Sequence, residues 1–300
     1  MTVQKGKVWF VSKLLKIEIR KALKNRAFFI SVAIGIIFAV LSLIYGINIY
    51  NNDMESMKLT KEVSGDGQSP MTAVYTLFNH WIGGESASLG TSVYYFIFPI
   101  LCALPYGWSY CVERKSGYTR TMIIHSGKGR YYMAKYISTF ISGGLAMVLP
   151  LIASILMTAA FFPAVKPDVI YDIYTGVFKN TFMSELYYGK PFLHLFLLLC
   201  INFVFCGLLA CCSRAATSVI RQKHIVTLVP FVVCLMLNLL TSVTFDASKY
   251  RNVEYSPFYF LRACGVRCST SGAVIGIIAL VMFLVTFITV NVWERRHEVY

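Results

Sequence analysis

Charge is missing from the most apolar parts of this sequence. Six long stretches contain no Asp, Glu, Lys or Arg: 27–49, 89–111, 136–162, 191–212, 225–244 and 271–293. A helix of about 20 apolar residues crosses the hydrocarbon core of a bilayer. The stretches therefore predict an all-α, polytopic membrane protein with six transmembrane helices in a single transmembrane domain over 1–300. Ion-coupled transporters and many intramembrane enzymes keep ionisable groups at membrane depth, so the missing charge disfavours both classes.

Motifs for catalysis and metal binding are missing as well. The stretch His-Ser-Gly-Lys-Gly at 125–129 lacks the first Gly and the hydroxyl residue of a nucleotide-binding P-loop. No Cys and His spacing is typical of zinc sites, and His80 near Glu85 offers two ligands without a third. His194 lies inside a stretch but has no acidic partner for catalysis. We expect no catalytic residue, metal or cofactor in this chain, and no enzyme activity of its own.

Acidic residues are scarce, with 14 against 28 Lys and Arg, and the two kinds are separated along the chain. Nineteen of the basic residues lie in 1–26, 112–135, 213–224 and 294–300, whereas ten of the acidic residues lie in the other three loops. The positive-inside rule then predicts both termini in the cytoplasm. The net charge of +14 comes from this asymmetry, which places the basic segments beside the anionic lipids of the cytoplasmic leaflet. It is not a sign of nucleic-acid binding. The absence of Asn-x-Ser/Thr sequons fits a bacterial cytoplasmic membrane.

The nine cysteines are scattered, and seven lie in or at the ends of the apolar stretches, where they fit as small packing residues. Cys264 and Cys268 fall in a predicted outer loop. Whether these two form a disulfide is left open by the sequence.

Residues 8–25 are predicted to form an amphipathic interfacial helix. Apolar residues share one face of the helical wheel, and Glu18 and Lys21 interrupt the pattern. The apolar face comprises Val8, Val11, Leu15, Ile19 and Ala22, and the basic face Lys13, Lys16, Arg20 and Lys24. Such a helix lies among the headgroups with its apolar face down. It serves either as a basic anchor or as a contact for a cytoplasmic partner.

Prolines and aromatic loops mark further features. Pro99 and Pro105 in the second stretch and Pro230 in the fifth predict kinks, which are either structural or part of a gate. Asn238 is explained by interhelical hydrogen bonding or by substrate contact. Residues 71–82 are aromatic and predict a short helix on the outer leaflet. Ser256-Pro257 and the apolar run after it predict an interfacial or re-entrant element.

One cytoplasmic segment, 112–135, carries a functional signal. From Glu113 it reads ERKSGYTRTMIIHSGKGRYYMAK. Gly117 ends the preceding helix, Tyr118 to Ile124 form a short helix, and Gly127 and Gly129 allow a tight turn. The result is a compact helix–turn–helix elbow with a basic face. An ordinary positive-inside loop is the other interpretation.

Here the sequence resembles the ABC-2-type permease family, the membrane half of an ATP-driven exporter. The basic amphipathic helix precedes the first span, and Glu113, Gly117, Lys128 and Lys135 stand where the family has matching residues. The end of the fourth span, Gly207 to Ala210 with Ser213, and the Ser256-Pro257 element are also similar. Many members have Pro in the turn of the elbow, where this chain has His125-Ser126-Gly127.

The resemblance implies a mechanism and partners. Two permease copies, identical or different, pair above two nucleotide-binding ATPase subunits, which bind ATP and Mg. The implied ATPase-coupling residues are Glu113, Arg114, Gly117, Tyr118, Thr119, Arg120 and Lys128, with Lys13, Lys16 and Arg20. The implied pathway or gate residues are Pro99, Pro105, Pro230 and Asn238. A charge-free pathway suits a hydrophobic or amphipathic cargo such as a drug, an antimicrobial peptide or a lipid. An ion-coupled transporter or an intramembrane enzyme without such a partner is the alternative.

Overall fold

A computed structural model describes residues 2–64, 74–178, 181–245, 252–264 and 268–290. The helices of this part, in chain order, are α1 Thr2–Leu23, α2 Arg26–Ser64, α3 Leu77–His80, α4 Leu89–Ala103, α5 Ser109–Lys115, α6 Tyr118–Ser126, α7 Lys128–Ala159, α8 Asp172–Thr175, α9 Ser184–Gly189, α10 Pro191–Ala216, α11 Lys223–Thr244, α12 Pro257–Phe260 and α13 Gly272–Ile288. The described residues contain no strand beyond one isolated bridge between Val253 and Ser269. The all-α prediction is confirmed for them.

In the part of the chain that the structure describes, four helices are long and apolar enough to cross a membrane: Arg26–Glu62 of α2, α7, α10 and α11. Helices α4 and α13 are apolar but shorter. Large apolar side chains point outward from the long helices, such as Ile37 at 58% exposure, Leu156 at 67% and Leu239 at 56%. A surface of this kind matches lipid rather than water. The chain is therefore compatible with a multi-pass membrane protein, whereas six spans stay a prediction. Residues 291–293 of the sixth stretch and the tail 294–300 lie outside the described residues.

Two predicted boundaries are wrong. The stretch 89–111 is not one continuous helix, because α4 ends at Ala103 and α5 begins at Ser109. Pro105 has no N–H to continue the helical ladder, and its carbonyl accepts a 2.8 Å hydrogen bond from the Asn25 side chain. The helix that contains the first stretch does not end at 49, because α2 continues to Ser64. Residues 50–64 are rich in Glu, Lys and Met, which favour a helix even outside an apolar environment.

The core is built around α7, which packs against α10 on one side and α1 and α2 on the other. Glycines make the α7–α10 contact close. A Cβ at Gly143 would lie 2.3 Å from the Cβ of Ala210, and one at Gly207 would lie 2.7 Å from the Phe140 ring. Small residues of this type let helix backbones approach within a membrane. The main apolar cluster then includes Phe98, Met147, Leu151, Phe205 and Leu209.

The aromatic segment of the first outer loop does not lie on a leaflet surface. In its described part, 74–82, Phe78 and Trp81 are each 2% exposed. The Trp81 indole N–H donates to the Phe78 carbonyl at 3.1 Å, which satisfies its polar atom inside the protein. The predicted short helix is present as α3, but most of its side chains are buried inside the protein and not on a leaflet surface.

The Ser256-Pro257 element folds back into the bundle. Pro257 begins α12, and the Phe258 and Phe260 rings contact Phe98 and Phe205 at centroid distances of 6.0 and 5.0 Å. The element is therefore packed against the helical bundle, and its position relative to a membrane, interfacial or re-entrant, stays a prediction. Just after α12, Cys264 is buried and has a free thiol, and Cys268 is buried as well.

Candidate functional site

The elbow takes the form that its glycines require. Gly117 has φ +75° and separates α5 from α6, and Gly127 has φ +83° and separates α6 from α7. Both values lie in the region that glycine adopts without steric cost. The short helix predicted after Gly117 is present as α6. Gly127 supplies the turn between α6 and α7.

Of the described side chains on the predicted apolar face of α1, Ala22 alone is fully buried. Leu14, Glu18 and Ala22 are 3%, 0% and 0% exposed, and they follow one another at helical i, i+4 spacing. Leu15 and Ile19, placed at the centre of the apolar face by the sequence pattern, are only half-buried. Glu18, which interrupted that pattern, is the centre of the contact instead. A carboxylate tolerates this burial only when it is paired.

The partner of Glu18 is Lys135 in the first turns of α7. Both side chains are 0% exposed, and the Lys135 Nζ lies 3.1 Å from Glu18 Oε2. The same ammonium lies 2.7 Å from Glu113 Oε1 on α5. Lys135 therefore joins two carboxylates from two separate helices, and a buried cation in this position is satisfied by both.

Two tyrosines complete the coordination of these charges. The Tyr106 hydroxyl, from the turn between α4 and α5, donates to Glu18 Oε2 at 2.6 Å and accepts from Lys135 at 2.8 Å. The Tyr131 hydroxyl donates to Glu113 Oε2. Hydrogen bonds to charged groups are stronger than neutral ones. Each carboxylate thus has a cation and a hydroxyl donor.

The network extends to the surface through Lys21 and Tyr118. Lys21 on α1 lies 3.4 Å from Glu18 and 3.9 Å from Glu113, and it donates to the Tyr118 hydroxyl of α6 at 2.6 Å. We call the whole set the ionic network: Glu18, Lys21, Tyr106, Glu113, Tyr118, Tyr131 and Lys135. Its two carboxylates and two ammonium groups balance, so its net charge is zero.

Electrostatics favour the charged forms of the two α1 members. Burial by itself would raise the pKa of the Glu18 carboxyl, but Lys135, the Tyr106 hydroxyl and Lys21 together hold that pKa below its usual value. Burial would lower the pKa of Lys21, but the hydrogen bond to Tyr118 and the two carboxylates raise it. Glu18 is therefore ionised at neutral pH.

The predicted coupling residues divide into two groups. Glu113 and Tyr118 belong to the ionic network, Gly117 shapes the turn, and Thr119 is buried at 1% exposure. The others lie on the outside of α1 and the elbow, where Lys13, Lys16, Arg20 and Arg120 are exposed and Arg114 and Lys128 are half-buried. The second group therefore presents positive charge outward.

The outer side of α6 also carries an apolar residue. Ile124 is 80% exposed, and Arg120, Thr121 and His125 beside it are exposed too. Positions i, i+1, i+4 and i+5 share one side of a helix. The outer side of α6 thus combines one exposed apolar side chain with polar and positively charged neighbours.

Of the predicted pathway residues, Pro105 directly precedes Tyr106 of the ionic network, and the other three do not belong to it. Pro99 is buried inside α4, Pro230 is buried inside α11, and Asn238 is half-buried on α11. Pro105 marks the interruption between α4 and α5. The α4 and α11 helices contact one another, with the Phe96 and Phe231 rings 5.1 Å apart. A role in a pathway stays a prediction.

A cavity of about 260 Å³ beside residues 45–53 of α2 is lined by His80 and Glu85, the pair considered as metal ligands. Burial lowers the pKa of His80 to about 4, and Glu85 accepts from the backbone N–H of Ser88 at 2.8 Å. Among the described residues, no group of three or more metal-ligating side chains occurs. The geometry therefore gives Glu85 a capping role at the start of α4.

Sequence reasoning missed the centre of the network. Lys135 was noted only for its place in the family pattern, and Tyr106 and Tyr131 were not singled out. One signal was available, since Glu18 stands alone among eight Lys and Arg in the first 26 residues. An isolated acid on a basic helix calls for a specific partner, but the partner is 117 residues away along the chain.

Comparison of this chain with models of protein families, with characterised proteins and with solved structures finds no significant match.

Proposed function

We propose that this chain is the membrane permease subunit of an ATP-binding cassette transporter, with six transmembrane helices and both termini in the cytoplasm. It works with a separate nucleotide-binding ATPase subunit, which binds ATP and Mg, and with a second permease copy. The cargo is hydrophobic or amphipathic, and the membrane is a bacterial cytoplasmic membrane. The observation that carries the proposal is the ionic network.

The network connects the parts that such a transporter must move together. Glu18 and Lys21 belong to α1, Glu113 to α5, Tyr118 to α6 and Lys135 to α7. A push on α6 reaches the interfacial helix α1 through the 2.6 Å hydrogen bond between Lys21 and Tyr118. Helices α1 and α5 are in turn joined to the long helix α7 by the 3.1 and 2.7 Å ionic contacts of Lys135. This arrangement fits a lever between a cytoplasmic motor and the membrane helices.

The free energy needed to separate the buried charges supports a concerted movement of the helices that carry them. Removing one partner of a buried ion pair costs about 3–5 kcal/mol, because the remaining charge is left unpaired. Glu18 and Lys135 are fully buried, so pulling them apart carries a cost of this order. Within a transport cycle, α1, α5 and α7 then shift together rather than separate.

The exposed side of α6 is the docking surface in this proposal. Ile124 supplies an apolar anchor and Arg120 a positive charge beside it. On α1, Lys13, Lys16 and Arg20 extend the positive surface. Buried apolar anchors and arginines carry most of the energy of protein interfaces. An ATPase subunit with an apolar groove and an acidic rim is the complementary partner.

Co-purification of the chain from native membranes in mild detergent tests the proposal. We expect a nucleotide-binding ATPase chain at equal stoichiometry, and ATP hydrolysis in the purified complex. The variant Ile124→Asp places a charge in the docking surface and should remove the partner. Ile170→Asp is the matched control, because Ile170 is 79% exposed but lies in the predicted outer loop.

Each outcome is informative. Loss of the ATPase with Ile124→Asp, together with its retention with Ile170→Asp, supports both the function and the surface. Folded wild-type protein that repeatedly purifies alone contradicts the proposal. In that case an ion-coupled transporter or an intramembrane enzyme, neither of which needs an ATPase partner, becomes the better explanation.

A further inference from the structure

A small cavity near the elbow is lined by positive charge. Its volume is about 200 Å³, and its walls are Cys111, Arg114, Lys115, Thr217 and Arg221. The first three residues lie on α5 at i, i+3 and i+4 spacing, so they share one face of the helix. Thr217 and Arg221 come from the connection that follows α10. Two separate parts of the chain thus contribute cations to one space.

Within the described residues, no carboxylate compensates these cations. Arg114, Lys115 and Arg221 form no ion pair there, where the salt bridges are those of the ionic network. Glu113 is adjacent in sequence, but its two oxygens contact Lys135 and Tyr131 instead. Like charges that converge on a cavity repel one another, so an anion bound there relieves the repulsion.

The wall of the cavity is held in place from behind. The Thr217 hydroxyl is buried, donates to the Arg214 carbonyl at 2.6 Å and accepts from the Arg214 guanidinium at 2.8 Å. Arg214 is fully buried and stacks on the Tyr110 ring at 3.9 Å. The Cys111 thiol donates to the Ile220 carbonyl at 3.5 Å, which joins α5 to the connection. A fourth cation thus stands behind a fixed wall.

The position of the cavity selects the kind of anion. Lys115 ends α5, and the cavity lies where α10 ends, just before the apolar helix α11 begins. In the proposed topology this is the level of the inner-leaflet headgroups. Arginine side chains match the geometry of phosphate oxygens, and lysine adds a point charge.

We propose that this cavity binds the phosphate group of an anionic phospholipid from the cytoplasmic leaflet. The inference rests on the predicted membrane orientation and on these residues, and it does not require the ATPase partner. A lipid held here touches both α5 of the elbow and the α10–α11 connection. It therefore stabilises the position of one relative to the other.

Native mass spectrometry of the purified full-length chain in detergent tests this site. The probes are phosphatidylglycerol, phosphatidylcholine with the same acyl chains, and inorganic phosphate. The variants are Arg221→Gln and the pair Lys115→Gln/Arg221→Gln. The control pair Lys58→Gln/Lys61→Gln removes the same charge from exposed positions near the far end of α2. Exposed Arg221 makes no ion pair with a described residue, so the single variant should fold.

We expect wild-type protein to prefer phosphatidylglycerol over phosphatidylcholine. Arg221→Gln should weaken phosphatidylglycerol binding about five-fold and the pair about thirty-fold, while the control pair leaves it unchanged. Equal binding of both lipids, or equal loss in the control pair, overturns the proposal. Full displacement of the lipid by millimolar inorganic phosphate also overturns it, because the site would then serve a soluble anion.

Discussion

Replacing Lys135 with methionine keeps an unbranched side chain as far as Cε and removes the ammonium between Glu18 and Glu113. In the variant, the Glu18 carboxylate stays at 0% exposure and retains the Tyr106 hydroxyl, but its nearest cation becomes Lys21 at 3.4 Å. Lys21 is 38% exposed, so water screens this remaining attraction. We expect a loss near the lower end of the 3–5 kcal/mol that is typical of a broken buried pair, or about 3 kcal/mol at neutral pH.

The dependence on pH distinguishes this cause from lost packing. In the wild type the pKa of Glu18 is below its unfolded value, so its stabilising contribution is present above about pH 4 and is lost as the pH falls through the folded pKa. In Lys135→Met the carboxyl is buried without its main cation, so its pKa should lie above the unfolded value. Its contribution should then be lost as the pH rises from about 4 toward 7.

Unfolding by a denaturing detergent in mixed micelles, monitored through the helix content between pH 4 and pH 7.5, measures the free energy of unfolding. It gives both the loss at neutral pH and the dependence of that loss on pH. The informative quantity is the difference between variant and wild type, because buried His80 titrates in both proteins. Lys128→Met is the matched control, since Lys128 is half-buried and forms no ion pair with a described residue. Its free energy of unfolding should change little.

A double variant tests whether the unpaired Glu18 carboxylate causes the loss. Glu18→Gln/Lys135→Met removes the unpaired carboxylate, so it should recover much of the stability lost in Lys135→Met and should lose the inverted pH dependence. The reasoning is refuted if Lys135→Met costs less than about 1 kcal/mol, or if its stability follows the same pH slope as the wild type.

Three further changes follow from the geometry. Gly117→Ala should lower the free energy of unfolding by about 1–2 kcal/mol, because alanine at φ +75° is strained. Gly189→Ala, where the added methyl group meets open space, should be neutral in the same assay. Equal effects of the two substitutions would contradict backbone strain as the cause. Gly143→Leu should destabilise the protein strongly through overpacking. Gly276→Leu should not, since nothing lies within 4 Å of its Cβ position. The yield of monodisperse protein on gel filtration compares the two variants. Tyr106→Phe should cost about 1–3 kcal/mol, because one hydroxyl serves two charged groups, and an unchanged free energy of unfolding would show that water replaces it.

Local features of the fold were accessible from the sequence. The α6 helix is bounded by turns at Gly117 and Gly127, which are ten positions apart in the sequence. Both have the positive φ that such turns require, and glycine provides it without any tertiary contact. The apolar lengths of α7, α10 and α11 are likewise set by composition. These elements depend on neighbours in sequence, so a pattern suffices to find them.

Features that depend on distant partners were not accessible. Trp81 was assigned to the membrane interface because aromatic rings favour it, but its indole N–H is satisfied by Phe78 and the ring is buried in the core. Glu18 counted as a fault in an amphipathic pattern, although Lys135 makes it the centre of the contact. A helical wheel shows the direction of each side chain but not which residue faces it across the interface. A charged residue that the wheel assigns to the solvent can therefore be buried when it forms an ion pair.

The glycines between α7 and α10 have a consequence for how the bundle can move. Phe140 of α7 occupies the space at Gly207 of α10, and Phe203 of α10 occupies the space at Gly144 of α7. Each ring is lodged in the notch of the other helix, so sliding by one residue would drive both rings into backbone. The two helices are therefore locked in register along their axes. Any large displacement must instead be a rotation of the pair as a single rod, with the interruption between α4 and α5 as the neighbouring place where the chain can bend.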